Sequence, residues 1–141
     1  MSSINAKVIK VGNTYQIEGH PREDFKILKA YHPENIPGKT VLVGMISMDP
    51  TAATPPHKHG GAAAIAVVIE GTVLNQMNCD EPIVSTKGDI WYEAPGCHHV
   101  RSENQSLVEK AKFFAILIVD DVVVKDGYQN IFVLDAESEQ S

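Results

Sequence analysis

Four of the six histidines fall into two tight clusters. The first is Pro55-Pro56-His57-Lys58-His59-Gly60-Gly61. In an extended chain, side chains at i and i+2 point to the same side. His57 and His59 can therefore aim two imidazoles at one point. Neutral imidazole nitrogen is a good ligand for zinc, iron, nickel or copper ions. The second cluster, Pro95-Gly96-Cys97-His98-His99, lies well downstream. A sheet that closes on itself would bring a third imidazole to the first two. Adjacent residues on a strand face opposite sides, so only one of His98 and His99 should point inward.

Other reactive side chains surround these clusters. Glu93 sits on the run leading into Pro95-Gly96. Facing inward, it would act as acid or base over a metal; facing outward, it is a solvated strand carboxylate. Glu70 carries the same two readings. Cys97 reads as a small packing residue, because a reactive thiolate needs an accessible, electropositive site. His20 and His32 stand in polar turns beside proline and read as surface residues. Of Trp91 and Tyr92, one faces the interior and the other faces out.

The elements that must position these groups are short. Runs over 41–48, 64–71, 72–78, 83–86, 90–94, 113–124 and 131–134 are rich in Val, Ile and aromatics. Turn signals at 79–82, 87–89 and 95–96 divide them. This pattern argues an all-β sandwich or barrel. The Ala-rich stretch 60–66 opens on two glycines and continues β-branched, which argues against a helix. Residues 1–39, with a candidate strand over 24–31, form an N-terminal arm expected to pack on a barrel spanning 40–134. The charged segment 135–141 reads as a flexible tail.

Composition narrows the function. The chain has 141 residues, 43% of them hydrophobic, and a net charge of −6. It carries no basic stripe, which argues against nucleic acid or an anionic membrane as partner. No window approaches the ~20 apolar residues of a membrane span. The first ten residues lack the apolar core of a signal peptide, and two cysteines are too few for a disulfide scaffold. A cytoplasmic protein is expected.

With both clusters in view, the sequence resembles a small, single-domain, RmlC-like member of the cupin superfamily. That family's first motif places a His-x-His pair, a Glu four or five residues on, and then a Gly. His57, His59 and Gly71 match, while the Glu position falls at Ala63 or Ala64. The second motif runs from a Gly to Pro-x-Gly-x-x-His and then Asn. Gly88, Asp89, Gly96 and His99 match; the proline is displaced by one place to Pro95, and Asn104 lies one place late. The resemblance covers roughly residues 40–120.

The resemblance implies a double-stranded β-helix, a conical jelly-roll barrel, forming a homodimer. It implies one divalent transition metal (iron, zinc, nickel or copper) held by His57, His59 and His99. The Gly-x-x-His count selects His99 over His98. His98 is then a surface or interface residue, or a catalytic pocket residue if the chain bulges there. With Ala in place of Glu, three histidines and open positions form a catalytic arrangement; loss of metal binding altogether is the alternative. The function expected is a metal-dependent enzyme acting on a small organic molecule, polyketide-like or aromatic, with dioxygenase-like chemistry preferred. A non-redox lyase, isomerase, dehydratase or decarboxylase is the second reading, and a non-catalytic small-molecule-binding cupin the third.

Overall fold

Alternation of buried and open positions sets every long strand of this protein. The computed structural model describes residues 7–138. Thirteen strands follow one another: β1 (Val8–Val11), β2 (Thr14–Ile17), β3 (Asp24–Tyr31), β4 (Lys39–Met48), β5 (Ala53–Thr54), β6 (His57–Lys58), β7 (Ala63–Glu70), β8 (Thr72–Met77), β9 (Ile83–Thr86), β10 (Ile90–Glu93), β11 (His99–Glu103), β12 (Ala111–Asp120) and β13 (Val133–Leu134). Two 3-10 turns, Asp121–Val124 and Gln129–Ile131, precede β13, and a short helix α1 (Asp135–Ser138) follows it. On β12, Ala111, Phe113, Ala115, Leu117 and Val119 point inward; on β4, Leu42, Ile46 and Met48 do so. This period of two is what a half-buried sheet requires.

The strands form two antiparallel sheets and a separate hairpin of β1 with β2. One sheet has five strands in the order β10-β7-β12-β4-β3. The other runs β13-β6-β11-β8-β9, with β5 also on β11. The core fills the space between them. Trp91, Phe113, Ile46, Met48 and Val68 belong to one apolar cluster, and Leu42, Leu117, Val119 and Ile131 to another. Among the described residues no helix is long and apolar enough to cross a membrane.

The boundary expected at residue 39 falls within a sheet, because β3 pairs along β4 from Asp24 to Tyr31. At the other end, 135–138 is a helical turn rather than a loose tail: the Asp135 N–H donates to Pro56 O at 2.9 Å, and the Leu134 N–H to Glu137 Oε1 at 2.9 Å. Residues 139–141 lie outside the described residues. In the 131–134 run, only Val133 and Leu134 are strand.

The β7–β8 corner depends on Gly71. Its φ is +74°, and a Cβ there would lie 2.3 Å from Lys110 O. Gly71→Ala should therefore lower stability by more than the ~1–2 kcal/mol of left-handed backbone strain alone. Urea unfolding checks this, and an unchanged midpoint would contradict it.

Candidate functional site

Three histidines meet inside the barrel because three strands run side by side there. β6 lies between β11 and β13, with His57 opposite His99 on one side and Leu134 on the other. His57 and His99 are buried at 2% and 3% exposure. His59, two residues after His57, presents its ring to the same space: the ring centroids of His57 and His59 are 4.8 Å apart, and those of His57 and His99 are 4.7 Å apart. One nitrogen from each of the three rings lies within 4.8 Å of the others.

Each ring is fixed by its other nitrogen. His57 Nδ1–H donates to Pro55 O at 2.8 Å, and His59 Nδ1–H to Ile131 O at 3.0 Å. His99 Nε2–H donates to Asn75 Oδ1 at 2.7 Å. Carbonyl oxygens only accept, so these bonds place the protons on the outer nitrogens and leave lone pairs facing inward. Such anchoring sets tautomer and ring orientation in metal sites.

Glu93 joins them, facing inward. Its side chain is 5% exposed at the end of β10. Trp91, two residues earlier and on the same face, donates its Nε1–H to Glu93 Oε2 at 2.9 Å. The other oxygen, Oε1, lies 3.2 Å from His59 Nε2 and 3.4 Å from His99 Nδ1. Oε1 and His99 Nδ1 are buried without a hydrogen-bond partner. The inward nitrogens of His59 and His99 thus both face Oε1. The three imidazole nitrogens, within 4.8 Å of one another, are a donor set suited to a transition metal, so the residues fit the ion that the resemblance implies.

Burial pushes the Glu93 carboxyl up, but His59 beside Oε1, His99 and the Trp91 N–H outweigh it and hold the group at about 2. At neutral pH it is a carboxylate and a poor proton donor. Burial, with His99 and His59 alongside, holds His57 well below its usual 6.5, and burial lowers His99 against the pull of Glu93. The unfolded chain takes up protons at these rings near pH ~6.5, which the folded chain resists. Their contribution is therefore fully favourable above that pH and is lost as the pH falls, by up to about 1.4 kcal/mol per pH unit for each group. Glu93 adds its own loss only below 4.5. Urea midpoints measured from about pH 8 to pH 5 should fall with acidification; a flat profile would contradict this.

The C-terminal segment closes the site. Phe132 stacks on His57, with centroids 4.3 Å apart and planes 19° from parallel. Gly60, at a φ of +65°, lets the Asn130 carbonyl approach: a Cβ there would lie 2.2 Å from that oxygen. The space beside the histidines is a cavity of about 30 Å³, walled by Phe25, Ile46, Phe113, Leu117 and Phe132. A groove of about 210 Å³ outside it shares Phe25 and Phe132, whose rings meet edge to face at 5.9 Å. A larger cavity of about 320 Å³ lies beside Gln76, Arg101 and Glu103 and includes none of the three histidines or Glu93.

Other expected residues lie elsewhere. His98 turns away from the cluster, its Nε2 2.7 Å from Asp135 Oδ2 with the side chain 34% exposed. The register shift in β11 falls after His99, between His99 and Arg101, and does not turn His98 inward. His98→Ala should leave metal binding within about twofold and cost no more than about 1 kcal/mol, as for exposed ion pairs. Metal titration and urea unfolding check this; loss of metal would contradict it. His20 is half-buried, with Nδ1 2.7 Å from Thr51 O, rather than a free surface residue. Cys97 packs in the core, and burial, aided by Glu93 and Asp80, pushes its thiol up to about 11. Asn104 is a structural brace, donating from Nδ2 to Met48 O, Asp49 O and Glu109 O.

Of the two motif positions that lack Glu, Ala64 points inward and Ala63 does not. Sequence reasoning missed the positioning roles of Trp91, Asn75 and Phe132. The i, i+2 spacing of Trp91 and Glu93 was a usable signal. The stacking of Phe132 on His57 left none, because it joins distant segments.

No protein-family model matches the chain, and no curated protein matches it significantly. Solved structures do. A cupin superfamily protein from Desulfitobacterium hafniense is similar with a TM-score of 0.56 at 13% identity, over 74% of this chain and 84% of that one. A protein with a double-stranded β-helix domain from Klebsiella pneumoniae gives 0.55 at 18%, over 74% and 81%. An oxalate oxidase in complex with glycolate gives 0.59 at 18%, over 89% of this chain and 59% of that one. The chain therefore has the cupin fold, a double-stranded β-helix. Within it lies a buried histidine triad that could hold a metal.

Proposed function

We propose that this protein is a metal-dependent cupin enzyme acting on a small organic molecule, with one divalent transition metal held by His57, His59 and His99. The observation that carries this reading is the convergence of one nitrogen from each ring within 4.8 Å. When bound, such a metal supplies Lewis acidity and, if it is iron or copper, redox chemistry with dioxygen.

The chain's own residues shape the rest. The inner cavity holds about one water-sized group, so only the reacting end of a substrate enters. The remainder lies toward the groove of Phe25, Ile27, Tyr128 and Phe132, which suits an aromatic or polyketide-like body. Besides the histidines, the titratable groups lining the inner cavity are Glu93 and Glu23. Glu23 is held by the Arg22 guanidinium at 2.9 and 3.0 Å and by the Thr54 hydroxyl at 2.8 Å. The dioxygenase-like reading is preferred because three histidines with open positions suit a metal that binds dioxygen and substrate together. The second reading is a non-redox lyase or isomerase in which the metal serves as Lewis acid. A cytoplasmic homodimer is the expected setting; Ile90 and Tyr92 on edge strand β10 leave apolar surface for a second copy.

The test is metal analysis of the purified chain, combined with a screen of small enols, hydroxy acids and aromatic compounds in air and under nitrogen. Metal with turnover only in air supports the oxygenase. Turnover in both atmospheres supports the non-redox enzyme. Stoichiometric binding without chemical change would make the chain a binding module and overturn both.

A further inference from the structure

We propose that Glu93 is a fourth protein ligand of the metal, a carboxylate carried on β10 in place of the one missing from the first motif at Ala64. The inference rests on the reading of the three histidines as ligands and adds to it.

Register carries the argument. Ala64 on β7 and Glu93 on β10 are direct partners in an antiparallel pair. Opposed residues on such a pair project from the same face, and both are buried, at 2% and 5% exposure. Ala64 packs among Leu42, Leu117 and Ile131, and the longer Glu93 side chain reaches the histidines from the neighbouring strand. A carboxylate lost from one strand is thus supplied by the position directly across from it.

Distances agree. Two donor atoms bound at about 2.1 Å to one ion, at tetrahedral or right angles, stand about 3.0–3.4 Å apart. Glu93 Oε1 stands 3.2 Å from His59 Nε2 and 3.4 Å from His99 Nδ1. Its partner oxygen is occupied by the Trp91 N–H, so the carboxylate offers one oxygen to the centre. Oε1 and His99 Nδ1 are buried without a hydrogen-bond partner, as is Nδ2 of Asn75 behind His99. A shared ion satisfies Oε1 and His99 Nδ1 at once.

The chemical consequence is a site of three neutral nitrogens and one anionic oxygen. A divalent ion there carries a net charge reduced by one. Oxygen ligation also improves the hold on harder ions such as Mn²⁺ relative to three imidazoles alone. Bound as a ligand, Glu93 is not free to act as a general base.

The experiment measures binding of Mn²⁺ and, in parallel, Co²⁺ to the full chain by equilibrium dialysis, with the Mn²⁺ electron paramagnetic resonance spectrum recorded for each variant. Glu93→Gln should weaken Mn²⁺ by at least about tenfold and change the spectrum, since even losses of residues behind the ligands cost ten- to a hundredfold. The double variant Ala64→Glu/Glu93→Ala should recover most of that loss, because it returns a carboxylate to the same face. Circular dichroism confirms folding, and the double variant preserves the test if Glu93→Gln fails to fold. Mn²⁺ affinity within about twofold of the parent and an unchanged spectrum in Glu93→Gln would overturn the inference. A parent chain that takes up neither ion would overturn the three-histidine reading itself.

Discussion

His99→Ala should abolish metal binding while leaving a folded barrel. His99 is fixed between Asn75 and the cluster, its Nε2–H donating to Asn75 Oδ1. His98 is adjacent in sequence but is committed to Asp135 on the other side of β11. Loss of a direct ligand should exceed the ten- to hundredfold typical of groups behind the ligands, so affinity should fall by more than about a hundredfold. The barrel should survive because the two core clusters do not include His99. His57→Ala should strip metal equally and destabilise more, since His57 also stacks on Phe132 and sits between β11 and β13. Dialysis followed by elemental analysis reads the first effect, and circular dichroism the second. Near-stoichiometric metal in His99→Ala would remove it from the site.

Trp91→Ala should bring the largest loss of stability. The ring is 4% exposed and packs on Phe113 at 4.9 Å between centroids. Truncating a buried Trp costs about 3–5 kcal/mol, a large part of the roughly 5–15 kcal/mol that holds a domain together. The change also takes the hydrogen-bond donor from a buried carboxylate. Trp91→Phe separates the two contributions: it keeps most of the packing, strips only the N–H from Glu93 Oε2, and should cost about 1–3 kcal/mol. Urea unfolding of both variants checks the order. A Trp91→Ala midpoint near that of the parent, or a larger loss in Trp91→Phe, would contradict it.

Much of this arrangement was legible in the residues. Alternation in the runs that became β4, β7 and β12 gave an all-β chain, and the i, i+2 spacing of His57 and His59 gave the pair of rings. Gly96-x-x-His99 selected the inward member of the second cluster. The orientation of β10 was harder to read. Its four residues, Ile-Trp-Tyr-Glu, can face either way, and hydrophobicity alone would put Ile90 and Tyr92 inside. They are 65% and 59% exposed, while Trp91 and Glu93 are buried. A buried carboxylate runs against the pattern because its cost is offset by partners on other strands, which a local window does not contain. The same holds for Ile131 and Phe132, which reach His59 and His57 from the far end of the chain. The missing Glu at Ala64 suggested an all-histidine set, but a carboxylate stands opposite it on the next strand.

The most direct measurement is X-ray diffraction at the absorption edge of whichever metal elemental analysis finds in the purified, chelator-free protein. One anomalous peak should lie within about 2.0–2.3 Å of a nitrogen on each of His57, His59 and His99. Protein that holds no metal after expression with metal supplied, or a peak bound away from these three rings, would contradict the account.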